Sequence, residues 1–222
     1  MPSNREFTPA AGRLLPTSAY DRLLALLTRE RVWRARLLDA LAPLGVAAIL
    51  FSVTARTGLS ILRTLAEHGV EFVLIGGMAG VARGSSYPSY DVDVVYARDR
   101  PNLERLARAL VELGATLRGA PADLPFVLDA TTLANGAKFT FDTPFGPLDV
   151  LADPSGAPSF DELRRGAGAP VEVEGVAILV SSLDHLIAMK EAAGRPKDLL
   201  MASEYRVISD ELRRAGEESA ED

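Results

Sequence analysis

Asp91 and Asp93, separated by a single valine, are the residues in this chain best placed to do chemistry. In a β-strand, residues two apart point to the same face, so the two carboxylates would stand side by side, about 6.6 Å apart along the strand. Like charges so close repel unless a cation sits between them. Hard carboxylate oxygens with open positions suit Mg²⁺, which also binds phosphates. The rival reading is an exposed, solvated strand edge. Val92, Val94 and Val95 are β-branched and Tyr96 is aromatic, which supports a strand over 91–96. Val92 and Val94 alternate with the acids, so one face is apolar and the other acidic.

The elements that must hold this pair are legible on both sides. An apolar run, Phe72 to Ile75, precedes Gly76-Gly77, and thirteen residues then lead to Asp91. The spacing predicts a strand over 71–75, a tight turn at the glycines and a short helix from Met78. Glycine lets a ligand approach the backbone closely. A helix start offers unpaired N–H groups and a positive dipole end, which would seat the anion of a nucleoside triphosphate. Alone, the diglycine would be an ordinary turn. A two-metal site needs a third carboxylate, and residues 137–152 offer Asp149. Phe139 and Phe141 alternate with polar residues, Thr143 to Pro147 carries turn chemistry, and Leu148-Asp149-Val150-Leu151 reads as the return strand of a hairpin. An unpaired carboxylate among apolar neighbours is costly to bury, so Asp149 is a candidate partner for Asp91 and Asp93. The alternative is a surface acid near the strand end.

This arrangement resembles the nucleotidyltransferase superfamily with the DNA polymerase beta-like fold. That family's pattern is a strand ending in Gly-Gly or Gly-Ser, a gap of about a dozen residues, an acid-apolar-acid triplet and a third acid on a later strand. The corresponding positions here are Gly76, Gly77, Asp91, Asp93 and Asp149, and the likeness spans roughly 57–214. Within the superfamily the chain is most similar to small bacterial enzymes grouped with abortive-infection (type IV) toxins. The resemblance implies two Mg²⁺ ions (Mn²⁺ as an alternative) on Asp91, Asp93 and Asp149. It also implies transfer of a nucleotide from a triphosphate, ATP for instance, to a hydroxyl of tRNA, a protein or a small molecule, with Asp149 as a metal ligand or proton acceptor. By the same resemblance, Lys190 contacts nucleotide phosphates, and Arg195 and Asp198 line the same cleft. A cognate toxin or antitoxin partner is implied as well. Two positions depart from the pattern: relatives often carry Arg and Thr where this chain has Tyr87 and Ser89. Ser89 keeps a hydroxyl for the nucleotide, and Arg83 is a candidate replacement for the missing cation. Three rivals share the fold: an antitoxin-like partner protein, a catalytically idle binding module, and an aminoglycoside-type adenylyltransferase.

Composition bears on these readings independently. The 222 residues include 21 Arg but only three Lys: Lys138, Lys190 and Lys197. Where Arg is the default cation, a Lys on an apolar helix suits a compact point charge for phosphate. The alternative is a side chain snorkelling to solvent. Residues 181–200 read as a helix opened by a Ser181–Asp184 capping box, closed at Gly194 and followed by a second helix from Pro196. Asp198 then falls in a first turn, where a carboxylate is favoured by the dipole; the alternative is a base near the acceptor hydroxyl. The chain has no cysteine, which excludes disulfides and thiolate metal sites. His68 and His185 read as helix-surface residues, and no nucleophile-elbow motif supports a serine hydrolase. The longest apolar stretch, 44–53, is too short to span a bilayer, and the start lacks a secretory pattern, so a cytoplasmic protein is expected.

Charge divides unevenly, at +4 over residues 1–60 and −10 over 61–222. Arg29, Arg31, Arg34 and Arg36 could face nucleic acid or simply solvent. Residues 1–56 read as a mostly helical extension with one amphipathic helix over 19–42, 57–214 as the nucleotidyltransferase domain, and 215–222 as a disordered acidic tail. Helices are expected over 58–69, 101–113, 161–165, 182–193 and 196–214. Strands are expected near 116 and 126–128, with hairpins over 137–151 and 171–180. The order predicts an α/β (α+β) fold with a mixed sheet.

Overall fold

The computed structural model describes residues 53–121, 124–173 and 175–218. The expected helix over 19–42 and the arginines near residue 30 lie outside them, as do 219–222. The described residues form a mixed five-stranded sheet flanked by helices, as the sequence predicts. Strands β1 (Phe72–Ile75), β2 (Val92–Tyr96), β3 (Thr116–Leu117), β4 (Lys138–Thr143) and β5 (Gly146–Leu151) lie in the order β1-β2-β5-β4-β3. Only β2 and β5 pair in parallel; every other neighbour is antiparallel. The parallel pair places the end of the 138–151 hairpin beside the acidic strand.

Period-two alternation sends Val92, Val94, Tyr96, Leu148, Val150 and Phe141 to one face, where all are buried. Helix α1 (Val53–Glu67) covers this face, since a side chain at its Gly58 would meet Val92. Its Ile61, Leu62 and Leu65 are buried in the same core. Helix α3 (Arg100–Glu112) starts where the sequence places it: Asp99 accepts from Asn102 N at 3.0 Å, with Pro101 in the first turn. The buried Asn102 then ties the strand ends together, donating to Glu71 O at 3.0 Å and Ala97 O at 2.8 Å.

Several expectations are corrected. Residues 126–128 form no strand; the Phe126 ring instead packs on Phe139 and Phe141, with centroids 6.4 Å from each. Helix α4 (Ala130–Asn135), not expected from its apolar pattern, is capped by Asp129, which accepts from Thr132 N at 2.7 Å. Helix α5 (Phe160–Gly166) carries a Ser159/Glu162 capping box, and strands β6 (Val171–Val173) and β7 (Val176–Ile178) form the second hairpin. Past that hairpin the chain bridges to the sheet, Ser181 N donating to Leu74 O at 2.9 Å. With the Ser181 backbone so used, Ser182 rather than Ser181 caps helix α6 (Leu183–Ala193), accepting from His185 N at 3.3 Å. Gly194 closes α6 in the left-handed region at φ 65°, where glycine pays no Cβ penalty. Helix α7 then runs from Pro196 through Glu218, so residues 215–218 are helical rather than part of a loose tail.

Candidate active site

The acidic face is built by strand register. Asp93 stands opposite Ile75 on β1 and opposite Asp149 on β5. Neighbouring strands are about 4.8 Å apart, so the two carboxylates share a face at close range. Asp93 is partly buried, and its neighbours Val92 and Val94 point the other way into the core. Asp91 sits on the bend just before β2, which starts at Val92 rather than at the first acid. It is exposed, and Ser89 Oγ donates to its Oδ1 at 3.0 Å. The Ser89 hydroxyl thus bonds to the acid itself.

The glycines are required by this packing. The short helix α2 (Gly76–Ala82) begins at the diglycine, with Gly76 at φ 68°, a region L side chains rarely enter. A Cβ on Gly76 would collide with Asp93 Oδ2, and one on Gly77 would collide with Ser89 Oγ. The Gly-Ser variant of the motif therefore has no room here, and the backbone bend itself lies against the acids.

Burial and mutual repulsion raise the proton affinity of two of the three acids. The Asp93 carboxyl is pushed up to about 7, first by burial and then by the charges of Asp91 and Asp149, with Lys190 and Lys138 partly offsetting them. Asp149 is also raised, mainly by burial, although Arg118 and Lys138 pull it back.

Lys190 and Arg195 reach the same region through Asp198. Lys190 Nζ lies 3.0 Å from Asp198 Oδ1 and Arg195 Nε 2.5 Å from Oδ2, while the Asp198 side chain is only 3% exposed. Burial acts to raise the Asp198 carboxyl, but these two partners outweigh it and hold it below the ordinary range. Asp198 is therefore an ionised anchor between two cations, and both cations interact with the acids of the site.

Arg83 is a correction. Its Nε donates to Ser181 O at 3.0 Å, and its Nη2 donates to Ala167 O at 2.9 Å and Val180 O at 2.6 Å. The guanidinium is committed to backbone carbonyls and does not replace the cation missing at Tyr87, which packs against the core.

Two cations were not assigned to the site from sequence. Arg118, just after β3, lies 3.2 Å from Asp149 Oδ1. Lys138 on β4 bears on Asp93 and Asp149. The scarcity of lysine is a signal that could have flagged Lys138 as well as Lys190; nothing local to Arg118 marks it, because its approach depends on strand order.

A divalent cation suits the donor types: three carboxylates, one with its proton affinity raised to about neutral pH by burial and then by its fellow acids. Asp149 Oδ1 is buried and accepts no hydrogen bond, its contact with Arg118 being an ion pair out of hydrogen-bond alignment. Among the described residues, no three His, Cys, Asp or Glu side chains already converge on one point. Asp149 is held toward Arg118 and Asp91 toward Ser89, so loading requires side-chain rotation.

No protein-family model matches the chain, and no curated protein does. Among solved structures, the antibiotic-resistance factor ANT(2'')-Ia is similar over 77% of this chain and 98% of its own, at 17% identity and a TM-score of 0.45. The lincosamide antibiotic adenylyltransferase LnuA, solved with lincomycin bound, is similar over 69% of this chain and 96% of its own, at 14% identity and a TM-score of 0.48. These likenesses are distant, and the functional reading rests on the geometry of the site. No described helix is long and apolar enough to cross a membrane.

Proposed function

We propose that this protein is a Mg²⁺-dependent nucleotidyltransferase that moves a nucleoside monophosphate from a triphosphate to an acceptor hydroxyl. The observation that carries this reading is the juxtaposition of Asp93 and Asp149 on paired strands, with the Gly76–Gly77 bend against Asp93. Asp91, Asp93 and Asp149 would hold the metal, which when bound supplies charge neutralisation on the phosphates and a lower pKa for the acceptor hydroxyl.

The chain's own residues account for the rest. The side-chain-free bend lets the triphosphate lie close to the backbone. Lys190 and Arg195, aimed by Asp198, stabilise charge that builds on the leaving phosphates. The acceptor oxygen bonds to the α-phosphorus, the α–β phosphoanhydride P–O bond breaks, and pyrophosphate departs with that electron pair. Asp149, with its proton affinity raised by burial, can take the hydroxyl proton.

The acceptor belongs to RNA, a protein or a small molecule, and the toxin-like resemblance suggests a toxin–antitoxin or phage-defence setting. Incubation with Mg²⁺, labelled triphosphates and total cell RNA and protein, followed by mass spectrometry, tests the proposal. An added nucleotide mass with the parent and none with Asp93→Asn is expected; equal labelling by the two proteins would sink it.

A further inference from the structure

Arg118 stands outside the nucleotide half of the site. Its backbone N–H donates to Thr140 O at 2.9 Å, continuing the ladder in which Thr116 faces Asp142 and Leu117 faces Phe141. Thr140 in turn faces Asp149, and Asp149 faces Asp93. Directly opposed residues share a face of the sheet, so Arg118, Thr140, Asp149 and Asp93 form one row across it. The small side chain of Thr140 lets the guanidinium reach over. Nε donates to Asp142 Oδ1 at 3.0 Å and Nη2 to Phe141 O at 2.7 Å. Nη1 reaches Asp149 Oδ1 only as an ion contact at 3.2 Å.

We propose that Arg118 is a tethered counter-cation: it balances Asp149 in the metal-free protein, and a divalent ion displaces it from Asp149 while Asp142 and the Phe141 carbonyl retain it. The proposal rests on the reading of Asp149 as a metal ligand. The asymmetry of the contacts supports it. Two aligned hydrogen bonds anchor the guanidinium at β4, and the unaligned contact is the one to the buried acid, whose side chain is 14% exposed against 35% for Arg118. Withdrawal from Asp149 leaves Arg118 anchored and partly solvated, so the exchange strands no charge. A fixed cation in that place spares Asp149 repulsion from Asp93 when the metal is absent, and it weakens metal binding by competing for the same oxygen.

Calorimetric titration with Mn²⁺ alone, without nucleotide, reads this directly on the parent, Arg118→Gln and Arg118→Lys. A partly exposed ion pair of this kind corresponds to about a two- to fivefold change in affinity, so Arg118→Gln is expected to bind Mn²⁺ tighter by that factor. Its metal-free melting temperature should fall, and the deficit should narrow at saturating Mn²⁺. Arg118→Lys, which keeps the charge but lacks the fork, should fall between the two and guards against loss of fold. Parental or weaker affinity in a folded Arg118→Gln overturns the proposal alone. Absence of Mn²⁺ binding by the parent overturns the reading of the site, and the proposal with it.

Discussion

Replacing Asp93 by Asn should stabilise the metal-free protein while abolishing transfer. The carboxyl has an ordinary value of 3.8 and is pushed up to about 7 in the fold, first by burial and then by Asp91 and Asp149. Between these limits the folded protein holds a proton that the unfolded chain has released, so stability falls as pH rises from about 4 to about 7 and levels off above. At 1.36 kcal/mol per unit, the whole interval amounts to about 4 kcal/mol. Asparagine carries no charge to desolvate and keeps nearly the same shape. At pH 8 without divalent ions, Asp93→Asn should therefore melt higher than the parent, by about 8–16 °C at ~2–4 °C per kcal/mol for a domain of this size. At pH 4, where Asp93 is protonated in the fold, the two should nearly coincide. Mg²⁺ at pH 8 should raise the parent's melting temperature and leave the variant's unchanged. Scanning calorimetry in chelator at pH 4 and pH 8, and with Mg²⁺ at pH 8, gives all six values. A variant that melts no higher than the parent at pH 8 would show that Asp93 bears no unpaired charge strain, and the metal-site argument would lose its basis.

Three further outcomes follow from named contacts. Gly76→Ala puts a Cβ into Asp93 Oδ2 at positive φ, and should lower stability by about 1–2 kcal/mol and weaken Mg²⁺–triphosphate binding, both measurable by melting and titration. Asp198→Ala removes the anchor shared by Lys190 and Arg195. With charge-assisted bonds at ~1.5–3 kcal/mol, it should raise KM for the triphosphate about tenfold or more in steady-state assays. Arg83→Met breaks three bonds to backbone carbonyls and should destabilise by about 3 kcal/mol in denaturant unfolding.

What was legible in the sequence was set by short-range geometry. The alternation around Asp93, the turn between Lys138–Thr143 and Gly146–Leu151, and the Gly194–Pro196 break each follow from local backbone preferences, and the strands and helix boundaries stand there. Asp149 could be suspected from its apolar neighbours, but only the parallel pairing of β5 with β2 brings it beside Asp93. The errors have long-range causes. Arg83 reads as a spare cation until the chain returns, nearly a hundred residues later, with carbonyls that need a donor. The cap of α6 shifts by one residue because Ser181 is drawn into the edge of β1. Residues 126–128 look like a strand by composition, yet Phe126 packs through its ring and finds no ladder. Helix α4 was the avoidable omission, since Asp129 followed three residues on by Thr132 is a readable cap.

The Arg83 clasp divides the molecule's tolerance for change. A single guanidinium fastens the segment after α2 to the backbone at Ala167, Val180 and Ser181, the last two leading straight into α6 and Lys190. Alterations on that side loosen the segment after α2 and the approach to α6 together and are correspondingly restricted. The β3–β4 margin is held differently: the Arg118 guanidinium bonds Asp142 and the Phe141 carbonyl, both on β4, and lies against Asp149. A change at Arg118 therefore loosens one edge of the sheet, while a change at Arg83 releases stretches far apart in the chain at once.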